Sequence, residues 1–319
     1  MTATAMETVG GVHAAVLTPF DADGQPDASA LARHGRWLLA NGCDGLAILG
    51  TTGEANSFSV DERLRLLDGL AEAGLPGDRL IPGTGCCAFP DTVALTRQAV
   101  EIGAAAVLML PPFYYKGASD DGLFAAYADV IERVGDDRLR IVVYHFPQMS
   151  GVPLSIDLIG RLRQRYPEIV IGIKDSSGDL DGMIRCAEAF PGFAVLSGSD
   201  ELLWPLLQAG GAGCITGVAN VAAWLAAEIL AAWRQGDRAA AEHTHARLTA
   251  IRRAIAAYPL TAACKEVMAR HTGDAGWRRV RPPLMPLPAD AARALADALD
   301  GLGFRPPAVE RPSDAAVSA

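Results

Sequence analysis

Short apolar runs recur along the chain, roughly 25 to 35 residues apart. Each is rich in β-branched residues and ends in glycine, proline, serine or threonine, which predicts a strand followed by a turn. The runs are apolar throughout instead of alternating, as is typical of parallel strands covered on both faces. There are eight of them, at residues 12–20, 45–53, 80–85, 105–112, 140–147, 169–177, 194–200 and 212–220.

The segments between the runs have the period of amphipathic helices. Ser59 and Glu62 form a capping box, whose two side chains satisfy backbone N–H groups of the first helical turn, and further helices are predicted to begin near Ser119, Ser155 and Asp200. Eight such units over residues 10–235 predict an α/β fold, the (β/α)8 TIM barrel. The alternative is an open doubly wound sheet. That fold would require a glycine-rich dinucleotide-binding motif after its first strand, and this chain has none there.

The rest of the chain has no further strand pattern. Residues 236–304 are helical in period, and we expect them to form a C-terminal extension packed on the barrel instead of a second domain. Residues 305–319 are rich in proline and polar side chains, and we predict that they, like residues 1–9, are disordered tails.

Composition excludes several classes of function. The chain has 319 residues and a net charge of −9 with acidic and basic residues mixed, so nucleic acid is not an expected partner. No run of 18 apolar residues occurs, which excludes a membrane span. The six cysteines show neither a CxxC pair nor zinc-ligand spacing, and no secretory signal is visible, so we expect a cytoplasmic protein. We predict neither a metal nor an organic cofactor.

Lys174 is the most informative residue, because it lies within an apolar predicted strand of a chain with only 3 lysines against 25 arginines. Burial favours the neutral form of an amine, and a neutral amine attacks carbonyl carbons to form an imine. Strand alternation places Lys174 on one face with Val170 and Gly172, and Asp175 on the other. We therefore expect imine chemistry in preference to a structural ion pair with Asp175.

Two further groups follow predicted strands, at the end of the barrel where such folds carry their active sites. Gly50-Thr51-Thr52-Gly53-Glu54 precedes a capped helix, and its hydroxyl and backbone N–H groups suit a carboxylate. Tyr144 ends the fifth run, and Tyr115 follows the fourth. A phenol beside an imine-forming lysine can carry the protons that imine formation and aldol cleavage need.

These segments, with Gly151, GIKDSSGD, SGSDE and GVAN, occur in an order and spacing that resembles the dihydrodipicolinate synthase / N-acetylneuraminate lyase superfamily of pyruvate-dependent class I aldolases. The resemblance covers about residues 10 to 300. It implies a 2-oxo acid substrate such as pyruvate, an aldehyde as the probable second substrate, and a homotetramer built as a dimer of dimers.

The resemblance also implies roles for individual residues. Lys174 would form the imine, Tyr144 would be the general acid and base, and Thr51 would relay protons between Tyr144 and Tyr115, the last completing a neighbouring subunit's site. Thr52 and the backbone from Gly50 onward would hold the pyruvate carboxylate. The remaining residues that would line the substrate pocket are Gly198 and Ile215, with Asp200 and Glu201 at the positions that contact sugar hydroxyls in sialic acid lyases.

The chain departs from the family pattern at Met149, where dihydrodipicolinate synthases usually carry an arginine that holds the carboxylate of aspartate semialdehyde. A thioether cannot make that charge-assisted pair, so the substitution favours a different second substrate. Asp200 has a helix N-cap as its alternative role. We expect His145 to hydrogen-bond to residues around the site without contacting the substrate. Lys116 is expected to be a solvated rim residue, and Lys265 to be structural.

Three functions remain open from the sequence. The first is a Schiff-base lyase that cleaves or forms a C–C bond next to pyruvate or dehydrates a 2-keto-3-deoxy acid. The second is 4-hydroxy-tetrahydrodipicolinate synthase of lysine biosynthesis. The third is a non-catalytic 2-oxo acid sensor, which the complete set of Lys174, Tyr144, Thr51 and Tyr115 disfavours because a pure binder needs no proton relay.

Overall fold

A computed structural model of the chain describes residues 4–308 and contains, within them, seven regular strands. The strands are β1 Gly11–Ala15, β2 Gly45–Ala47, β3 Val107–Met109, β4 Ile141–His145, β5 Val170–Asp175, β6 Ala194–Ser197 and β7 Gly213–Thr216. All neighbours are parallel, in the order β2-β1-β7-β6-β5-β4-β3. Each strand is shorter than its apolar run, and for most runs the remainder forms the loop at the strand's carboxyl end.

The eighth predicted strand, residues 80–85, closes the ring between β2 and β3 without becoming a regular strand. It makes two isolated parallel bridges, Leu46 with Leu80 and Gly83 with Leu108. Its backbone is hydrogen-bonded on both sides, since Ile81 N donates to Leu46 O (2.9 Å) and Leu108 N donates to the carbonyl of Pro82 (2.8 Å). Pro82 has no N–H to donate, which limits the regularity of this ladder. The predicted barrel is therefore confirmed, with seven regular strands and one irregular segment, residues 80–85, in the place of the eighth.

Helices cover the outside of the ring, and three of the predicted starts are confirmed. Ser59, Ser119 and Ser155 each accept a hydrogen bond from the first turn of the helix that follows. Asp200 instead opens a short 3-10 turn, Asp200–Leu202, and caps no helix. The helices are α1 Ala5–Val9, α2 Ala28–Ala40, α3 Val60–Glu72, α4 Phe89–Glu101, α5 Asp120–Val134, α6 Pro147–Ser150, α7 Ile156–Arg165, α8 Leu180–Ala189, α9 Leu203–Gln208, α10 Ala219–Arg234, α11 Arg238–Ala256, α12 Leu260–Thr272 and α13 Ala289–Gly301.

Residues 4–9 differ from the prediction of a disordered tail, and residues 1–3 of that predicted tail lie outside the described residues. Thr4 and Glu7 form a capping box for α1, and Val9 at its end is fully buried in the cluster that fills the barrel interior. His13 Nε2 donates to Val9 O (2.9 Å), which ties the helix to β1. The burial of Val9, the capping box and this hydrogen bond together hold the segment on the barrel.

The helices α11, α12 and α13 pack on the barrel and share its core. Leu248 and Met268 belong to the same buried cluster as Leu38 of α2 and Leu46 of β2. Within residues 305–308, Ala308 O accepts a hydrogen bond from Trp37 Nε1, and the rest of the predicted tail, 309–319, lies outside the described residues. In the described part of the chain, no helix is both long and apolar enough to cross a membrane.

Candidate active site

Lys174 and Tyr144 lie side by side inside the barrel. They are register partners on β5 and β4, and parallel strands place such partners on the same face. Lys174 is 4 % exposed and Tyr144 is 3 % exposed, and Lys174 Nζ lies 4.3 Å from the centroid of the Tyr144 ring. The predicted grouping of Val170 with this face is wrong, because the register shifts between Ile141 and Val142 and turns Val170 outward.

The Lys174 amine makes no ion pair with Asp175. The Asp175 carboxylate accepts a hydrogen bond from Ser177 N (2.8 Å), and no group in residues 4–308 accepts one from Lys174 Nζ. The other buried lysine shows the contrast, because Lys265 Nζ donates to a Glu54 carboxylate oxygen and to the Arg279 carbonyl (2.6 Å). Of these two buried amines, Lys174 is the one that donates no hydrogen bond to a protein acceptor in residues 4–308.

The loop at the end of β2 brings Thr51 to Tyr144. Gly50, Thr51 and Tyr144 line one small cavity of about 20 Å³ at the carboxyl end of the barrel. Within the described residues the N–H groups of Thr51, Thr52 and Gly53 donate to no protein acceptor, whereas those of Glu54 and Ala55 are used inside the loop. Free N–H groups in succession form an anion-binding concavity, so the loop can hold a carboxylate.

The shape of this loop is strained and is held from outside. Leu49 and Glu54 bracket it with φ of 54° and 61°, a left-handed conformation that is costly for residues other than glycine. Glu54 is 4 % exposed, and its carboxylate accepts from Lys265 Nζ and from Arg281 N (2.8 Å). Burial lowers the pKa of Lys265, while the Glu54 carboxylate opposes that shift. The expected structural role of Lys265 is therefore to fix the threonine loop.

Three of the predicted pocket residues lie around this centre. Ile215 on β7 is fully buried in the interior cluster that contains Tyr144. Gly198 follows β6, and its N–H donates to the Asp175 carbonyl (2.7 Å). Thr52 is buried beside Gly217 and does not line the cavity of Thr51 and Tyr144.

Tyr115 and Met149 lie on the rim, away from the buried centre. Tyr115 is 76 % exposed and packs edge-to-face on Tyr114, at 5.3 Å between ring centroids. Met149 is 61 % exposed on α6. The chain alone does not bring Tyr115 to Thr51 or Tyr144, and within residues 4–308 no hydrogen bond joins Thr51 to Tyr144, so the relay through these three residues stays a prediction.

Asp200 and Glu201 both have protein partners and do not line the cavity. Asp200 is fully buried, accepts a hydrogen bond from Thr216 Oγ1 (2.6 Å) and lies 3.9 Å from Arg252 Nε of α11; burial raises the pKa of its carboxyl. The Glu201 carboxylate accepts from Arg253 Nε (3.2 Å), also of α11. These contacts tie the end of β6 to the C-terminal extension, and the predicted contact with sugar hydroxyls stays a prediction.

Two further rim residues support loops. His145 Nδ1 accepts from Leu154 N (3.1 Å), and burial lowers the pKa of this histidine. Lys116 is exposed, yet its ammonium donates to the carbonyls of Phe113 and Ser150. It is therefore not the freely solvated lysine that the sequence suggested, since it links the loop after β3 to α6.

Sequence reasoning missed the roles of Arg63 and Glu54. Arg63 lines the cavity with Thr51 and Tyr144 and is 3 % exposed. Its signal is visible in retrospect, because it occupies the apolar face of α3 in phase with Leu66 and Leu70. Glu54 carries no such signal, since its partner Lys265 is 211 residues away in sequence.

Known proteins with similar sequence and structure agree with this geometry. A profile of the "Dihydrodipicolinate synthetase family" matches residues 8–302. A 4-hydroxy-tetrahydrodipicolinate synthase of Agrobacterium fabrum is 37 % identical over 288 residues, which cover 89 % of this chain and 95 % of that one. An uncharacterized DapA-like lyase of Chloroflexus aurantiacus is 36 % identical, covering 89 % of this chain and 94 % of its own.

The structural similarity is equally extensive. YagE of E. coli, a prophage protein of the dihydrodipicolinic acid synthase family solved in complex with pyruvate, superposes with a TM-score of 0.85 at 29 % identity, covering 93 % of this chain and 99 % of its own. The residues matched by the family profile, 8–302, span all seven strands, Lys174 and the threonine loop. The chain therefore belongs to the dihydrodipicolinate synthetase family and is a class I lyase of the lysine-imine type.

Proposed function

We propose that the chain is a Schiff-base-forming lyase acting on pyruvate or a pyruvate-derived 2-oxo acid, with Lys174 as the nucleophile. The observation that carries the proposal is the buried Lys174 amine, 4.3 Å from the Tyr144 ring centroid and without a protein acceptor in residues 4–308. A structural lysine at that depth would be paired with a carboxylate, as Lys265 is.

The chemistry follows from the positions of the two side chains. The neutral Lys174 amine adds to the ketone carbon of the 2-oxo acid, and Tyr144 gives a proton to the carbinolamine hydroxyl, which leaves as water. The resulting iminium accepts the electrons of the bond between C3 and C4 as that bond breaks, while the C4 hydroxyl gives its proton to the Tyr144 phenolate and C4 leaves as an aldehyde. In the dehydration, C3 instead loses its proton to the phenolate, and the enamine expels the C4 hydroxyl, which leaves as water with that proton. The enamine left by cleavage is protonated at C3, and hydrolysis of the imine in either product returns the free lysine.

The threonine loop would bind the acid end of the substrate. The unused N–H groups of Thr51, Thr52 and Gly53 support a carboxylate site, and Gly50 leaves open space beside them. The exposed thioether of Met149 offers no charge to a second carboxylate. This supports an aldehyde without a carboxylate, or a deoxy sugar acid, as the substrate in preference to aspartate semialdehyde.

Borohydride reduction tests the nucleophile directly. The protein is incubated with pyruvate, reduced, digested and analysed by mass spectrometry. A reduced pyruvyl adduct on the peptide that contains Lys174 is the expected result, with Lys265 in the same sample as the internal control for a buried lysine. A Lys174→Met variant should form no adduct. Wild-type protein that forms no adduct at Lys174 excludes the proposal.

One second candidate function is 4-hydroxy-tetrahydrodipicolinate synthase, the name carried by several relatives. Condensation of pyruvate with aspartate semialdehyde is measured beside cleavage of 4-hydroxy-2-oxo acids and dehydration of 2-keto-3-deoxy sugar acids. Turnover of the semialdehyde above the other substrates selects the second candidate. It would also show that a rim without arginine can still bind that carboxylate.

We further infer a homotetramer, a dimer of dimers, in which Tyr115 completes the relay of a neighbouring subunit. The exposed Tyr114–Tyr115 pair supports this assembly. Mixed oligomers test it, since Lys174→Met and Tyr115→Phe chains, each of low activity alone, should regain activity when unfolded and refolded together. Failure to regain activity would exclude a site that is shared between subunits.

A further inference from the structure

We propose that Arg63 is a positioning residue whose permanent charge stabilises the phenolate that Tyr144 forms when it gives up its proton. The inference rests on the proposed function and adds to it a residue outside the predicted set. It concerns a side chain on α3 that lines the same cavity as Thr51 and Tyr144.

The Arg63 guanidinium is buried without a counter-ion. It is 3 % exposed, and in residues 4–308 it forms no ion pair. Its hydrogen bonds go to neutral acceptors, from Nη2 to the Gly83 carbonyl (2.7 Å) and from Nη1 to Cys86 Sγ (3.0 Å), while Nε is buried with no partner. Arginine stays protonated in proteins, so the charge persists where most buried charges are paired.

The titratable groups near the cavity do not neutralise Arg63. Glu62, its neighbour on α3, is held by Arg281 at 2.6 Å. Burial raises the pKa of the Cys86 thiol and keeps it neutral, and Asp91 on α4 acts in the same direction on that thiol. Lys174 Nζ lies 4.3 Å from the Tyr144 ring centroid, and His145, next to Tyr144 on β4, accepts a hydrogen bond from Leu154 N through Nδ1.

The cavity that Arg63 shares with Tyr144 is small, about 20 Å³, which is room for roughly one water molecule. A charge that arises on its wall is therefore little screened from Arg63 by water. Tyr144 is the wall residue that becomes anionic in the reaction, when its hydroxyl proton passes to the carbinolamine oxygen and water leaves. The proton returns when the enamine is turned over.

A cation on the wall of so small a cavity favours the phenolate of Tyr144 over the phenol. Removing Arg63 should therefore make Tyr144 a weaker acid. An imine on Lys174 is itself positive, so two cations would stabilise Tyr144 at the step in which it is deprotonated.

The pH profile of kcat/KM tests the proposal in the full-length protein, and the alkaline limb due to Tyr144 is identified by its loss in Tyr144→Phe. In Arg63→Met this limb should move upward by about one pH unit, with kcat at neutral pH lowered about tenfold. Arg63→Lys should stay near wild type. Arg65→Gln, which removes an exposed arginine of the same helix, should change neither quantity.

Two controls distinguish the effect of the Arg63 charge from a purely structural role of its contacts. Cys86→Ala removes one contact of Arg63 but keeps the charge, so it should leave the limb in place. Borohydride trapping of pyruvate on Lys174 should persist in Arg63→Met; loss of trapping in wild type would refute the proposed function instead. An unmoved limb in Arg63→Met, or an equal shift in Cys86→Ala, overturns the inference.

Discussion

Lys174 and Tyr144 face each other across one strand-to-strand spacing, with the Lys174 amine 4.3 Å from the centre of the tyrosine ring. The two residues come from strands that are adjacent in sequence order and paired in register. Because both backbones are fixed by the barrel, the amine and the phenol are held together before substrate arrives. Such preorganisation lets proton transfer occur without a search for the partner.

Tyr144→Phe should therefore lower kcat by a factor of about a hundred or more, the usual worth of a positioned acid and base. The fold should be unaffected, since the ring packing with Phe146 is retained. Steady-state kinetics and thermal melting check both statements.

Tyr127→Phe is the matched control. Tyr127 is also buried, and its hydroxyl donates to the Met109 carbonyl (3.1 Å). Losing that bond should cost about 1 kcal/mol of unfolding free energy and leave kcat unchanged. Wild-type kcat in Tyr144→Phe would remove the residue from the mechanism.

Glu54→Gln should both destabilise the protein and impair catalysis. The change leaves the Lys265 ammonium buried without its carboxylate, and broken buried pairs cost about 3 to 5 kcal/mol. The threonine loop should lose its strained shape at the same time. Urea unfolding and kinetics with the 2-oxo acid measure the two effects.

The matched control is an exposed ion pair of the same C-terminal region. Arg278→Ala breaks the pair with Glu266 and should change the unfolding free energy by about 1 kcal/mol or less. In Glu54→Leu with Lys265→Met, both charges are gone, so the loss should be smaller than the sum of the single losses. Additive losses would mean that the two residues act independently.

Gly50→Ala and Gly53→Ala separate substrate binding from folding within one loop. A Cβ on Gly50 meets nothing within 4 Å, so alanine there should leave stability intact but raise KM for the 2-oxo acid. A Cβ on Gly53 would lie 2.8 Å from the Val16 carbonyl and should destabilise by about 1 to 3 kcal/mol. Similar melting temperatures for the two variants would contradict this assignment.

His34 should make the protein less stable in acid. It is buried, donates through Nε2 to Asn220 Oδ1 (3.1 Å), and burial lowers its pKa from 6.5 to about 4. The unfolded state thus binds the proton first, so stability is full above pH 6.5 and is lost as the pH falls toward 4. The loss from this residue should reach about 2 kcal/mol by pH 5.

Urea unfolding at pH 7 and pH 5 measures this dependence. His34→Gln, which keeps a donor for Asn220 but cannot titrate, should reduce this dependence by the His34 contribution, while His13, whose pKa burial also lowers, keeps its own. The exposed His243→Gln serves as control and should leave the slope as in wild type. An unchanged slope in His34→Gln would assign the acid sensitivity to other groups.

Local signals were sufficient for much of the fold. The serine caps at Ser59, Ser119 and Ser155 depend on side chains within three residues, so the sequence alone locates those helix starts. Strand order also follows from the repeated unit. Lys174 and Tyr144 could be paired from the sequence because both close consecutive runs on the same side of the barrel.

Features that depend on distant residues could not be predicted. The register shift between Ile141 and Val142 turns Val170 outward; Gly172 in the run 169–177 is compatible with a bulge, but one glycine does not fix where the register shifts. Asp200 precedes a short helix and looks like a cap. Its carboxylate instead accepts a hydrogen bond from Thr216 and lies beside Arg252. The missed Arg63 depends on which wall of a cavity α3 covers, a property of packing that periodicity does not report.

The contacts of Lys265 and Arg281 with Glu54 determine when, during synthesis of the chain, the threonine loop can take its final shape. The threonine loop leaves the ribosome 211 residues ahead of Lys265, which at typical translation speeds is a lead of roughly 10 to 40 s. During that interval the remaining strands of the ring are made, but the loop lacks the buried partners that stabilise its left-handed residues. Catalytic competence thus arrives only after α12 and the turn beyond it have been made and have docked.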